Sequence, residues 1–269
     1  MKQISGRVAV VTGAGSGIGR AVSLELADQG ADLALVDVDA AGLESVRATV
    51  EARGRRASVH VVDVSNKQQM EELPGQVIAA HGAVHILVNN AGVSVNLPFE
   101  QQDVADLAWI TGINYWGVMY GCSYFLPFLQ QADEAHIVNL SSSAGFTGMK
   151  GQSSYAATKF AVRGLSECLY VELANSSVGI TCVHPGAVAT NILEAARMEE
   201  THKEKMLKTF HLAMPPERAA RLIVKAIRKN RFKLVFCVDS RILYYMKRLF
   251  PIGTLKLLRL VNRPDAAAN

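Results

Sequence analysis

The feature that most constrains the fold is an alternation of short apolar runs with longer amphipathic stretches. "RVAVVTG" (7–13), "DLALVDV" (32–38), "ASVHVVDV" (57–64), "HILVNNAG" (85–92), "AHIVNLSS" (135–142) and "GITCVHPG" (179–186) read as strands, and "KLVFCV" (233–238) predicts a seventh. Between them, "GIGRAVSLELADQG" and "AAGLESVRATVEARG" space their apolar residues as a helix does. A run that is apolar on both faces needs cover on both. Such strands alternating with helices predict a parallel α/β sheet of about seven strands, covered by helices on both faces. No internal repeat or Pro/Gly-rich linker breaks the pattern, so one domain is expected.

The 269 residues are 49% hydrophobic and 19% charged, the balance of a soluble globular chain that can bury a core. "MKQISGRVAVVTG" shows no cleavable hydrophobic leader, and no uninterrupted apolar stretch of about 18 residues is present. The four cysteines lie far apart without metal spacing, which predicts reduced thiols, a cytoplasmic setting and no metal site. The net charge of +4 hides an asymmetry: residues 218–263 hold 13 Lys and Arg against one acid, Asp239, and the rest of the chain is acidic. A basic segment on an acidic body predicts an anionic partner or surface.

The first strand runs into "TGAGSGIG" (12–19). Gly13, Gly17 and Gly19, with Ser16 and Ile18 between them, follow G-x-x-x-G-x-G rather than the commoner G-x-G-x-x-G. Glycines between a strand and a helix let backbone amides approach a pyrophosphate at the helix N-terminus. Asp37 ends the second strand 18 positions after Gly19, where an acid meets adenosine ribose hydroxyls. Its carboxylate would repel the 2′-phosphate of NADP and Val38 supplies no cation, so NAD is the expected cofactor, with Arg20 the one nearby charge in NADP's favour. Asp63, followed by Val64, closes the third strand and is placed to accept a hydrogen bond from the adenine amino group.

In "SSYAATKFA" (153–161), Tyr155 and Lys159 stand four apart and share one face of a helix. Hydride leaves a carbinol carbon only as the hydroxyl proton departs, so a base must sit on that oxygen. A free phenol titrates near 10, and bringing it to about 7 takes ~4 kcal/mol. An ammonium about 4 Å away, at an effective dielectric near 20, supplies that much. The pair is therefore expected to make a phenol into a base that works near neutral pH.

Taken in order, "TGAGSGIG", "NNAG" (89–92), Asn114 in "GINYWG", Ser142 in "NLSSSAG", "YAATK" and "PGAVAT" (185–190) resemble the classical short-chain dehydrogenase/reductase family over residues 5–192. The resemblance implies a Rossmann-type doubly wound parallel sheet, a nicotinamide cofactor and interconversion of an alcohol and a carbonyl. It implies a catalytic group of Ser142, Tyr155, Lys159 and Asn114, with Ser142 chosen over Ser141 and Ser143 because it precedes the tyrosine by 13 residues. Ser142 would hydrogen-bond the substrate oxygen. Lys159 would also hold the nicotinamide ribose, and Asn114 would support a water that resupplies the proton. Asn90, Ala91 and Gly92 would pass the cofactor, with Asn89 structural. Pro185, Gly186, Val188 and Thr190 would lie along the nicotinamide amide.

The same resemblance divides the chain into a core (1–192), a substrate lid (193–217), a last strand with a basic extension (218–263) and a disordered tail (264–269). Leu193, Ala196, Met198, Met206, Leu207, Phe210 and Leu212, with "VSVNLPF" (93–99) and "FTGMKGQ" (146–152), are expected to line an apolar pocket for a bulky hydrophobic alcohol or ketone such as a steroid or lipid. The seven histidines show neither triad nor metal spacing, and His184 is expected to fill a strand end. For residues 231–263 two readings stand: an amphipathic segment on an anionic membrane, or helices covering the pocket and packing against a second subunit, the latter favoured. A homodimer or homotetramer is expected, and nucleic acid is not. The alternatives are a 3-oxoacyl-carrier-protein reductase using NADPH and a non-catalytic nicotinamide-sensing protein.

Overall fold

The computed structural model describes residues 1–200, 203–204 and 213–262. Its centre is a parallel sheet of β1 (Val8–Thr12), β2 (Asp32–Asp37), β3 (Ala57–Val61), β4 (Ile86–Asn89), β6 (Ala135–Leu140), β7 (Val178–Pro185) and β9 (Lys233–Phe236). These seven strands lie in the order β3-β2-β1-β4-β6-β7-β9. The two-residue strands β5 (Val95–Asn96) and β8 (Arg197–Met198) pair separately, also in parallel. The helices are α1 (Gly17–Asp28), α2 (Ala40–Glu51), α3 (Lys67–His81), α4 (Val104–Thr111), α5 (Gly117–Leu129), α6 (Ser153–Glu172), α7 (Pro216–Arg228), α8 (Val238–Leu249) and α9 (Pro251–Val261).

The two-residue period of a strand divides the core. In β1, Ala9 and Val11 face one layer with Leu33 and Leu35 of β2, covered by Val22 and Leu26 of α1 and Ile223, Val224 and Ile227 of α7. Val8 and Val10 face the opposite layer with Ala34 and Val36, covered by Met70 and Leu73 of α3, Phe125 of α5 and Val162 of α6. All five residues of β1 are buried, as the unbroken apolar run requires.

The predicted strands all form, with shorter ends. β3 stops at Val61, so Asp63 lies in the following loop instead of closing the strand. β9 stops at Phe236, because Cys237 turns to φ +71° and starts α8. β1 has β2 on one side and β4 on the other, so the connections leaving their C-terminal ends diverge and open a crevice.

Candidate active site

That crevice is a cleft of about 330 Å³. One end is the glycine turn. Gly13 and Gly17 hold φ of +66° and +52°, a left-handed conformation that glycine adopts without a Cβ penalty. At Gly13 a Cβ would stand 2.7 Å from Asn90 Nδ2, and at Gly19 it would drive into the Gly13 carbonyl. Ser16 caps α1 with no side-chain hydrogen bond, and the first turn holds no acid, so its amides stay available to an anion. Asp37 turns back over the turn: Oδ2 accepts from Gly15 N at 2.9 Å, and Oδ1 accepts from Val38 N at 2.7 Å and Asp39 N at 3.2 Å.

Thr12, which the sequence reading passed over, ties this turn to the next strand. Its hydroxyl accepts from the amides of Asn90 (3.0 Å) and Ala91 (3.1 Å). Asn90 Nδ2 in turn donates to the carbonyls of Thr12 and Gly13, at 2.9 and 3.2 Å. Asn89 points the other way, into a buried cluster where it donates to Asn139 Oδ1 at 2.9 Å. Along the cleft floor, Gly92 passes so close that a Cβ would stand 3.2 Å from Asn114 Oδ1 and 3.4 Å from Lys159 Nζ.

Asn114 sits in a π-helical turn, Gly112–Trp116, between α4 and α5, and is fully buried. Both ends of its amide are engaged. Oδ1 accepts from Val93 N at 2.8 Å, while Nδ2 donates to Val93 O at 2.9 Å and to Thr158 Oγ1 at 3.3 Å. The side chain is a clamp between the loop after β4 and α6.

α6 carries Tyr155 and Lys159 on one face, the ammonium 5.7 Å from the phenol ring centre. Lys159 Nζ donates to Leu140 O at 3.0 Å. Ser142, two residues past the end of β6, accepts from Ala144 N at 3.2 Å and neighbours the Tyr155 phenol. Ser141 lines the cleft, and its hydroxyl donates to Lys159 O at 2.8 Å. His184 donates from Nδ1 to Ser142 O at 3.0 Å, the carbonyl fixing that tautomer. Burial pushes the imidazole down to about 4, so it stays neutral while it holds the serine's backbone.

The electrostatics differ from the expectation. Burial raises the Tyr155 phenol above its ordinary value, and the Ser142 hydroxyl opposes that rise. Burial also pushes the Lys159 amine down to about 8. Burial thus penalises the phenolate and the ammonium alike.

Of the expected site residues, Gly13, Ser16, Gly17, Ile18, Asp37, Asp63, Val64, Asn90, Ala91, Gly92, Tyr155, Lys159, Pro185 and Thr190 line the cleft. Gly19, Asn114, Ser142, Gly186 and Val188 lie behind that lining. Val188 bridges to Met214, and Gly186 packs on the Asp239 carboxylate. Asp63 Oδ1 accepts from Ser65 N at 2.9 Å and Oγ at 2.7 Å. Val62, Ile113, Leu140 and Ile192 also line the cleft without having been singled out by a local pattern, and Val93, expected there as part of "VSVNLPF", does so too. The substrate end is corrected in part: Ile192 and Ala195 face the cleft, while Leu193, Phe146 and Thr147 are buried in packing. Met206, Leu207, Phe210 and Leu212 lie outside the described residues.

The glycine cradle, the free amides of α1 and the Asp37 carboxylate together fit a dinucleotide. A family model described as short chain dehydrogenase matches residues 7–201. The chain is 36% identical over 255 residues to SadH of Mycobacterium tuberculosis, named an oxidoreductase, covering 93% of this chain and 92% of the other. It is 31% identical over 259 residues to mouse epidermal retinol dehydrogenase 2, covering 94% and 81%. A short chain dehydrogenase/reductase from Burkholderia phymatum, solved in complex with NAD, superposes with a TM-score of 0.85 at 32% identity, covering 93% and 96%.

Proposed function

Because the chain belongs to the short-chain dehydrogenase/reductase family and is an NAD(P)-dependent oxidoreductase, we propose that it uses NAD to interconvert a bulky apolar secondary alcohol and its ketone. The observation that carries this reading is a cleft lined at one end by Tyr155 and Lys159, with Ser142 just behind them, and at the other by the glycine turn. Gly13, Ser16, Gly17 and Ile18 would hold the pyrophosphate, Asp37 the adenosine ribose, and Lys159 the nicotinamide ribose. When bound, the nicotinamide accepts or returns the hydride and brings positive charge in its oxidised form.

Tyr155 takes the hydroxyl proton of the alcohol, and returns it in reduction. Ser142, fixed from behind by His184, donates to the substrate oxygen as charge develops. Lys159 holds its cation beside the phenol. Asn114 supports the proton path by clamping Val93, and with it Gly92, against Lys159. Since burial raises the phenol, the positive charge of the oxidised cofactor is needed in addition to the lysine.

Asp37, held on the Gly15 amide, supports NAD over NADP, because a 2′-phosphate would meet its carboxylate. The same feature disfavours the NADPH-dependent carrier-protein reductase. The intact Ser142, Tyr155 and Lys159 disfavour a non-catalytic sensor. Val93, Ile113, Ile192 and Ala195 along the cleft, and a relative named for retinol, support an apolar substrate. A homodimer or homotetramer is supported by exposed apolar side chains on α4 to α6: Val104, Trp116 and Phe160.

The test is a panel of steroid, retinoid, long-chain and small secondary alcohols offered with NAD and with NADP, for the wild type and Tyr155→Phe. The expected result is turnover of the apolar members with NAD, lost by about a thousandfold or more in Tyr155→Phe while NAD binding persists. Undiminished turnover in that variant would overturn the assignment.

A further inference from the structure

We propose that the outer face of α8 and α9 docks on an anionic lipid bilayer. The helices carry their most apolar side chains away from the protein. On α8, Val238 (75% exposed), Ile242, Tyr245 and Leu249 follow i, i+4, i+7, i+11, a single stripe along the helix. Phe250, at the bend, is 66% exposed. On α9, Ile252, Lys256 and Leu260 follow i, i+4, i+8 and are exposed, while Leu255 and Arg259, also exposed, border a groove against Gly148, Met149 and Lys150. The inward sides hold Ser240, which donates to His184 O at 3.1 Å, and Thr254, which donates to Phe250 O at 2.8 Å, beside the half-buried Leu243, Tyr244, Met246 and Leu258. The outer stripe is therefore a second apolar face, which the core does not use.

Charge selects the occupant. The two helices hold Arg241, Lys247, Arg248, Lys256 and Arg259 against Asp239 alone, and Asp239 is turned inward, accepting from Ala187 N. None of the five cations has a carboxylate partner among the described residues. A second copy meeting this face symmetrically would set like charges against like, the least favourable arrangement for a contact between identical surfaces. An anionic bilayer satisfies both halves of the surface. Lipid phosphates meet the Lys and Arg groups, and the aliphatic and aromatic tips enter the boundary with the acyl chains. The face adjoins the cleft wall, since α8 starts beside Gly186 and Ala187 and Tyr244 packs on Phe146 at 5.5 Å. A lipid-dissolved substrate would be met close to the site.

Flotation of the full chain with phosphatidylcholine vesicles, and with vesicles also containing phosphatidylserine, tests the proposal without reference to turnover. The expected result is flotation with the anionic vesicles only, reversed by raising salt. Lys256→Glu with Arg259→Glu should weaken it by at least about tenfold, and Leu249→Ser with Ile252→Ser should weaken it also. All four positions are exposed and distant from the cleft lining. Absence of salt-sensitive binding to the anionic vesicles overturns the proposal, whether or not the chain turns over alcohols. It is equally overturned if the serine pair leaves vesicle binding intact and splits an oligomer in the ultracentrifuge, which would make the face a contact between copies.

Discussion

Lys159 is the residue whose chemistry the fold alters most. Its amine titrates at about 8 in the protein, against 10.5 for an ordinary lysine, because it is buried. Between those values the unfolded chain binds more protons, so stability rises with pH across that window. Below pH 8 both states are protonated and the whole penalty, about 3 kcal/mol, is present. Lys159→Met should therefore melt above the wild type at pH 7 in the absence of nucleotide, and the gap should close as pH rises from 8 toward 10.5. Thermal melts across that range check it; a gap independent of pH would contradict the burial account. Stability is given up here to keep a cation beside Tyr155. The sequence announced the pair by its spacing, but not the sign of the phenol's shift, since desolvation depends on what surrounds both groups.

At the scale of elements, the catalytic helix is held by polar contacts that sequence patterns do not reveal. Asn139 accepts from Asn89 at 2.9 Å and donates to Ser166 Oγ at 3.1 Å, so β4, β6 and α6 share one buried network. Gly121 on α5 passes so near that any side chain would collide with Asn89. These bonds fix α6, and with it Tyr155 and Lys159, against the ends of the strands. The junction of β9 and α8 shows the opposite economy. Cys237 holds φ +71° and ψ 148°, a region that glycine populates easily and other residues rarely. Cys237→Gly should stabilise the protein by about 1 kcal/mol and raise Tm by about 2–4 °C. Differential scanning calorimetry reads this; an unchanged or lower Tm would mean that the thiol's contact with Ala187 O, 3.5 Å away, outweighs the strain.

For the whole molecule, two buried histidines set the acid limit. His136 donates from Nε2 to Thr181 Oγ1 at 2.7 Å and leaves Nδ1 without a partner, and burial pushes it down to about 3. His184 falls to about 4 for the same reason. Both folded values lie below the ordinary 6.5, so their contribution is complete above that pH and is lost as pH falls toward 4 and then 3. The urea midpoint should decline across that interval. His136→Gln should decline less steeply, and equal slopes would remove His136 from the account. Among the described residues no helix is long and apolar enough to cross a membrane.

The strand order's raw material, the glycine cradle and the candidates Tyr155, Lys159 and Asp37 were fixed by local chemistry: apolar runs, φ freedom and short spacings are properties of neighbouring residues, whereas Ser142 was reached through the family resemblance. Tertiary structure decided what depends on distant ones. It paired β5 with β8 across a hundred residues, clamped Val93 and Thr158 with the Asn114 side chain, tied Thr12 to the Asn90 and Ala91 amides, brought Val62 and Ile113 to the cleft, and raised the phenol. It also turned the stripe of α8 toward solvent, because whether an amphipathic face is buried depends on what the rest of the chain leaves beside it.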